Sequence, residues 1–251
     1  MFDSLKAFFH HGKRYIPDPT KSELPSIFTG KPEILEITCK NNCNICKDIC
    51  PSKAIEINPL SITLGSCIFC LECEKNCPSK KIKFTNQYKI CSNTIEGLNI
   101  IEGINSEVRI NPDLIRKKVF SIIGRSLKLR LVSAGSCNGC ELELNASGNV
   151  NFDMGRYGIE FVASPRHADG LVITGPITEN SLDAVRLTYE AIPEPKIVIM
   201  VGACAISGGI FKESTALRRE IIDQLNPDLY VPGCPPHPLT FINGVLDLIK
   251  K

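Results

Sequence analysis

The sequence predicts two folds in series: a small α+β unit built on cysteine loops, then an α/β domain with a parallel sheet. Three observations predict this. Eight of the thirteen cysteines in 251 residues fall between positions 39 and 77. The segment 43-CNICKDICPSKAIEI-57 aligns with 70-CLECEKNCPSKKIKF-84 at an offset of 27 residues. From 127 onward, short apolar runs alternate with stretches of helical spacing.

Bulk properties narrow the function classes. A chain of this length buries a real core, and 43% hydrophobic with 22% charged residues is ordinary for a soluble globular protein. The 29 basic and 27 acidic side chains nearly cancel, so no strong field points to nucleic acid or to an anionic membrane. The longest apolar run, 197-IVIMVGACAI-206, is too short to cross a bilayer, and Asp3 and Lys6 interrupt any signal-like stretch at the start. The expectation is a cytoplasmic chain without a membrane anchor of its own. A secreted disulfide scaffold is short and exported; clustered cysteines in a reducing compartment more often hold metal.

The first unit, residues 1–91, is expected to be ferredoxin-like. After each "CPSK" the sequence alternates apolar and polar, as a short strand does. Such a unit has little conventional core, so its cysteines must supply the cohesion. The segment 67-CIFCLECEKNCP-78 matches C-x2-C-x2-C-x3-C-P at every position, the spacing of a two-cluster ferredoxin in which the fourth cysteine ligates the other cluster. One [4Fe–4S] cluster is then expected on Cys67, Cys70, Cys73 and Cys50, and a second on Cys43, Cys46, Cys77 and Cys39. The first segment, 39-CKNNCNICKDICP-51, is one residue too long, with Lys40 where a cysteine should stand. A loop absorbs an extra residue more readily than a cluster loses a thiolate, which favours Cys39 as ligand. A three-iron cluster and recruitment of Cys91 are the alternatives; zinc suits interleaved quartets poorly.

Residues 92–126 read as a connector with a helix at 112-PDLIRKKVFSII-123, capped by Asn111 with Pro112 in the first turn. Residues 127–251 read as a flavodoxin-like α/β domain. Strands are expected at 127–133, 159–164, 170–175, 196–202 and 228–233, and helices at 179–192, 213–225 and in the tail "HPLTFINGVLDLIKK". Strands apolar throughout and alternating with helices argue for a parallel sheet covered on both faces. There is no GxGxxG or Walker A motif to suggest a nucleotide. Cys137 and Cys140 in "GSCNGCE", Cys204 in "GACAISGG" and Cys234 in "PGCPPHP" each follow a strand. Parallel strands end at one edge, where doubly wound folds bind their ligands, so these four are expected to hold a third [4Fe–4S] cluster. Cys91 is left as a lone buried thiol near the junction, without a role.

Other residues carry weaker signals. Glu141 reads either as a proton-handling or tuning carboxylate beside a cluster or as a helix N-terminal acid. Arg166 and His167 in "SPRHAD" could tune a cluster by hydrogen bonds from a partner-facing loop or serve an ordinary loop. Lys80, Lys81 and Lys83 could steer an acidic partner, though a solvated face is the default. Twelve thiolates on three oxidised four-iron cores add about −6, taking the formal +2 to about −4.

The stretches 136-SCNGCELE-143, 164-SPRHAD-169, 202-GACAISGGIF-211 and 233-GCPP-236 together resemble the small subunit of membrane-bound, formate hydrogenlyase-type (group 4) [NiFe] hydrogenases, which are related to the 20-kDa subunit of respiratory complex I. The segments "FTGKPE" and "CIFCLECEKNCP" resemble the two-cluster ferredoxin subunit of formate hydrogenlyase complexes, so the chain looks like a fusion of two subunits. The resemblance implies that Cys137, Cys140, Cys204 and Cys234 hold the cluster proximal to a large subunit's active site. It further implies electron relay without bond chemistry on this chain. The implied partners are a nickel-bearing large subunit, membrane-arm subunits and a soluble donor such as ferredoxin or a formate dehydrogenase. The implied location is the cytoplasmic face of the membrane, held peripherally by those partners. Complex I relatives place two cysteines side by side, whereas Asn138 and Gly139 separate Cys137 from Cys140 here, which favours the hydrogenase branch. A complex I-like oxidoreductase without nickel, reducing quinone or a sulfur compound, is the alternative reading, and a free ferredoxin-like carrier is a third.

Overall fold

A computed structural model describes residues 2–12, 15–40, 43–104, 108, 110–111, 126–135 and 137–249, so the helix expected at 112–123 lies outside the described residues. The cysteine-rich unit is assembled from fragments. Strand β1 (Pro32–Ile34) pairs antiparallel with β4 (Ile82–Phe84), while β2 (Ile55–Glu56), β3 (Ser61–Thr63) and β5 (Asn99–Ile101) form a second antiparallel sheet. The strands that follow the two CPSK turns are β2 and β4, so the duplicated copies feed different sheets. Strand β5 falls inside the span read as connector. Its Ile100 pairs with Ile62 of β3, so the sheet of the first unit draws on residues beyond 91.

Two four-residue helices, α2 (Ile45–Asp48) and α3 (Glu72–Lys75), carry the buried Cys46 and Cys73. An N-terminal helix, α1 (Phe2–His11), exposes Phe2, Leu5, Phe8 and Phe9. Residues after it are laced to the rest of the chain: Ile16 N donates to Asn151 O at 2.9 Å, and Tyr88 Oη donates to Ser22 O at 2.7 Å.

Strands β6 (Leu127–Ser133), β7 (Ile159–Phe161), β8 (Gly170–Thr174), β9 (Ile197–Val201) and β10 (Leu229–Val231) form one parallel sheet in the order β10-β9-β8-β6-β7. Numbered within the domain this is 2-1-3-4-5, the order of flavodoxin-like sheets. Every residue of β8, β9 and β10 is buried, as layers on both faces require. The connecting helices are α4 (Gly139–Ala146), α5 (Leu182–Ala191), α6 (Ala203–Ser207), α7 (Ile221–Leu225) and the terminal α8 (Pro238–Ile249). The helix expected at 213–225 forms only over its last turn. Residues 216–218 instead bond the loop after β8, with Glu179 N donating to Ala216 O at 2.8 Å and Arg218 N to Ile177 O at 2.9 Å.

One apolar cluster runs through both units, joining Ile55, Ile62, Leu64 and Leu98 to Val132, Ala205 and Ile206. At the joint, a Cβ on Gly65 would lie 2.7 Å from Ile206 Cγ2, so the approach needs a residue without a side chain. A second joint links Ser92 and Tyr230, which exchange backbone hydrogen bonds of 3.2 and 2.8 Å.

Candidate metal centres

The two CPSK segments make the same turn. Lys53 N donates to Cys50 O at 3.2 Å, and Lys80 N donates to Cys77 O at 3.1 Å. Each lysine is left-handed, with φ of 51° and 52°. That conformation swings the next amide back toward the cysteine: Ala54 N donates to Cys50 Sγ at 3.2 Å, and Lys81 N to Cys77 Sγ at 3.3 Å. A left-handed non-glycine costs roughly 1–2 kcal/mol, and here it delivers an N–H to sulfur. Hydrogen bonds of this kind favour the thiolate over the thiol and tune a metal held by it.

Electrostatic neighbours sort the cysteines into sets. Burial pushes the Cys46 thiol above its ordinary value, and Cys77, Cys39 and Cys43 add to the shift. Burial pushes Cys67 up to about 12, with Cys73, Cys50 and Cys70 contributing. Cys73 is likewise pushed to about 12 by burial, then by Cys50, Cys70 and Cys46. Cys50, Cys67, Cys70 and Cys73 line a single cavity under Ile55, Ile62 and Phe84. Cys39 and Cys43 share an open cleft with Lys40, Lys81 and Glu102. All thirteen thiols are free, and within the first unit Cys46 and Cys73 are the neighbours that link one quartet to the next.

The third set forms at the carboxyl edge of the parallel sheet. Burial pushes Cys140 up to about 12, followed by charge from Glu141, Cys204, Cys234 and Cys137. Cys204 is raised by burial to about 11, with Cys234 and Cys137 adding and Arg219 opposing. Between Cys137 and Cys140, Asn138 takes the left-handed conformation at φ 67°, which its short amide side chain tolerates. Gly202 sits at φ 88° and ψ 155°, a region only glycine enters readily, and a Cβ there would stand 2.6 Å from Cys140 Sγ. Cys137 and Cys234 are exposed. The Cys234 thiol is raised by burial, then by Cys137, then by Cys70 of the first unit. That last neighbour links the third set to the second.

Thiols raised this far stay protonated at neutral pH unless a cation compensates the charge. Four sulfurs per set, with backbone N–H donors aimed at several of them, make a donor set that fits iron–sulfur chemistry. Among the described residues, no group of three or more His, Cys, Asp or Glu is arranged to hold a single metal ion.

The remaining candidates separate. Glu141 is buried in the first turn of α4, and its Oε1 accepts a 2.7 Å hydrogen bond from Thr174 Oγ1 on β8. Arg166 and His167 are exposed just before β8 begins. The cysteines follow strand ends, so a tuning role for this pair finds no support: it enters the sheet from the opposite edge. Asp169 in the same motif is structural, its carboxylate accepting from Lys128 N at 2.9 Å. Of the three lysines suggested for steering, Lys81 is buried and ion-paired with Glu102, leaving Lys80 and Lys83 exposed. Cys91 is buried against α8, donating to Thr240 O at 3.3 Å and packing on Gly244, so it is not a neighbour of the Cys39 set. Sequence reasoning missed Arg219, which lies beside Cys204; no local pattern marks it, because its partners are backbone carbonyls distant in sequence.

A doubly wound sheet with four cysteines on its carboxyl edge, joined to a duplicated cysteine unit, has the build of an electron-carrying oxidoreductase subunit. The chain belongs to the family described as NADH ubiquinone oxidoreductase, 20 Kd subunit, whose family model matches residues 137–248. It is 45% identical over 129 residues to a probable membrane-bound hydrogenase subunit mbhJ of Pyrococcus furiosus, covering 51% of this chain and 77% of that one. It is 44% identical over 112 residues to an NADH-quinone oxidoreductase subunit of Geotalea daltonii, covering 45% of this chain and 65% of that one. Among solved structures, a chain of the membrane-bound sulfane sulfur reductase, an archaeal respiratory membrane complex, is 30% identical with a TM-score of 0.42. That match covers 55% of this chain and 74% of the other.

Proposed function

We propose that this chain is the electron-transfer subunit of a membrane-associated [NiFe] hydrogenase complex, carrying three [4Fe–4S] clusters between a ferredoxin or formate-oxidising partner and the large-subunit active site. The proximal cluster would use Cys137, Cys140, Cys204 and Cys234; the other two would use Cys67, Cys70, Cys73 and Cys50, and Cys39, Cys43, Cys46 and Cys77. The observation that carries this reading is continuity. Twelve cysteines fall into three neighbouring sets, joined by Cys46 with Cys73 and by Cys70 with Cys234. Bound clusters would supply one-electron redox chemistry. The protein would hold the sulfurs, donate N–H groups to them and keep water from the buried ones.

The exposed Cys137 and Cys234, with exposed Leu142 on α4 and exposed Ile210 and Phe211 in the turn after α6, suit a face covered by a large subunit. The ferredoxin-like character of the first unit and its fusion to the second belong to the same proposal, as does a location at the cytoplasmic face. No helix among the described residues is long and apolar enough to cross a membrane, so attachment would come through partner subunits. A second reading, a complex I-like oxidoreductase without nickel, is favoured by one observation: identity to the NADH-quinone oxidoreductase relative is nearly as high as to the hydrogenase subunit.

Anaerobic purification of the native complex, with iron and nickel counted per copy of this chain, tests both. About 12 irons from three four-iron sites, with nickel, support the hydrogenase. The same iron without nickel moves the chain to the second reading. About 8 irons or fewer end the three-cluster relay.

A further inference from the structure

Arg219 lies beneath the loop that carries Cys204. Its Nη1 donates to Cys204 O at 3.2 Å and Pro176 O at 3.4 Å, and its Nη2 donates to Ala205 O at 3.0 Å and Ile206 O at 2.7 Å. Three of these carbonyls belong to α6, whose last C=O groups have few intrahelical partners; Cys204 O also accepts from Gly208 N at 2.9 Å, while Arg219 serves Ala205 O and Ile206 O. The fourth belongs to the loop after β8. A guanidinium is suited to this task, since its planar fork presents five donors and carries charge at every ordinary pH. The backbone holds Arg219 in position. Arg218 N bonds Ile177 O, and the Arg218 side chain pairs with Glu179 at 2.8 Å.

Every hydrogen-bond partner of Arg219 among the described residues is a neutral carbonyl. The carbonyls orient the cation without cancelling its charge. The guanidinium stands against the Cys204 segment, while Glu141, whose Oε1 accepts from Thr174 Oγ1, directly follows Cys140 on α4.

We propose that Arg219 positions the Cys204 ligand loop and sets the reduction potential of the third cluster, by holding a fixed positive charge beside it through backbone carbonyls alone. This rests on the reading of Cys204 as a cluster ligand. Exchange of one electron between a third cluster and its neighbour would make and break no bond. The reduced cluster carries one more negative charge, so a nearby cation favours it and raises its potential.

The test uses the intact complex with Arg219→Lys and Arg219→Gln, iron counted per chain, and a redox titration followed by electron paramagnetic resonance. The third-cluster signal is the one lost in a Cys204→Ala control. Lysine keeps the charge and loses the fork; glutamine loses the charge. At a fixed ambient potential, Arg219→Gln is expected to lower the ratio of reduced to oxidised third cluster about tenfold, which is 59 mV for a one-electron couple. Arg219→Lys is expected to stay near the unmodified ratio. A full iron count with an unmoved midpoint in Arg219→Gln overturns the electrostatic role, and loss of the third cluster in both variants reduces Arg219 to a purely structural part. If the unmodified complex has no third-cluster signal, the ligand assignment itself fails, an outcome distinct from the other two.

Discussion

Gly202→Ala gives the sharpest test of the third set. The added Cβ would stand 2.6 Å from Cys140 Sγ, and φ of 88° with ψ of 155° lies where other residues rarely go. To restore van der Waals contact, the sulfur must retreat by roughly 1 Å, beyond the ~0.5 Å within which a functional constellation holds its geometry. The backbone conformation costs about 1–3 kcal/mol and the overpacking a similar amount. A total near 4 kcal/mol lowers Tm by roughly 8–16 °C in a chain of this size. Iron per chain, the third-cluster resonance and a thermal scan read all three consequences on one preparation. The expected result is loss of about four irons, with the other two clusters retained. Full iron, an unchanged spectrum and an unmoved Tm would refute the claim that Gly202 is the seat for the Cys140 sulfur.

Cys39→Ala is expected to remove or convert one cluster, lowering iron by about one to four atoms and leaving the third-cluster resonance intact; an unchanged iron count would return Cys39 to the status of a loop thiol. Cys91→Ala is expected to keep every iron while costing about 1–2 kcal/mol for the lost hydrogen bond and packing. Burial holds the Cys91 thiol well above its ordinary value. Its contribution to stability is therefore complete below the unfolded thiol range near pH 8.5 and is lost as pH rises above it. Cys91→Ala should flatten that alkaline loss by up to about 1.4 kcal/mol per pH unit, measured by denaturant titration at several pH values. Removing iron by chelation under reducing conditions should expose residues 39–84 to protease before the parallel-sheet domain. Simultaneous digestion of both would mean that the apolar core, rather than iron, holds the first unit.

The parallel sheet was legible because its strands are apolar on both faces. The run expected at 127–133 and the strand observed there have the same bounds, and 170–175 differs from Gly170–Thr174 by one residue. The segment 213–225 misled for a tertiary reason. Its helical spacing is real, but Ala216 and Arg218 bond the 177–179 loop instead of their own turn. Strand β5 was hidden because three residues, "NII", carry too little pattern, and only its partner Ile62 reveals it. Within the candidate site, the duplication was legible as structure, since both copies make the same turn and aim an amide at sulfur. What a motif does not convey is which edge of a sheet it occupies. Arg166 and His167 lie in a motif shared with a cluster-bearing family, yet they approach β8 from the end away from the cysteines.

The core that passes Gly65 and Ile206 has a consequence for timing. Electron tunnelling falls steeply with distance, so a carrier that reaches its acceptor by collision spends most of its time too far away. Here the span between the second and third sulfur sets is a dimension of a close-packed solid, which compresses little. Traffic across that joint would need no encounter and would offer no point at which a regulator could interrupt it. Control of flow would fall instead to the two ends, at the open cleft by Cys39 and at the exposed face around Cys137 and Cys234.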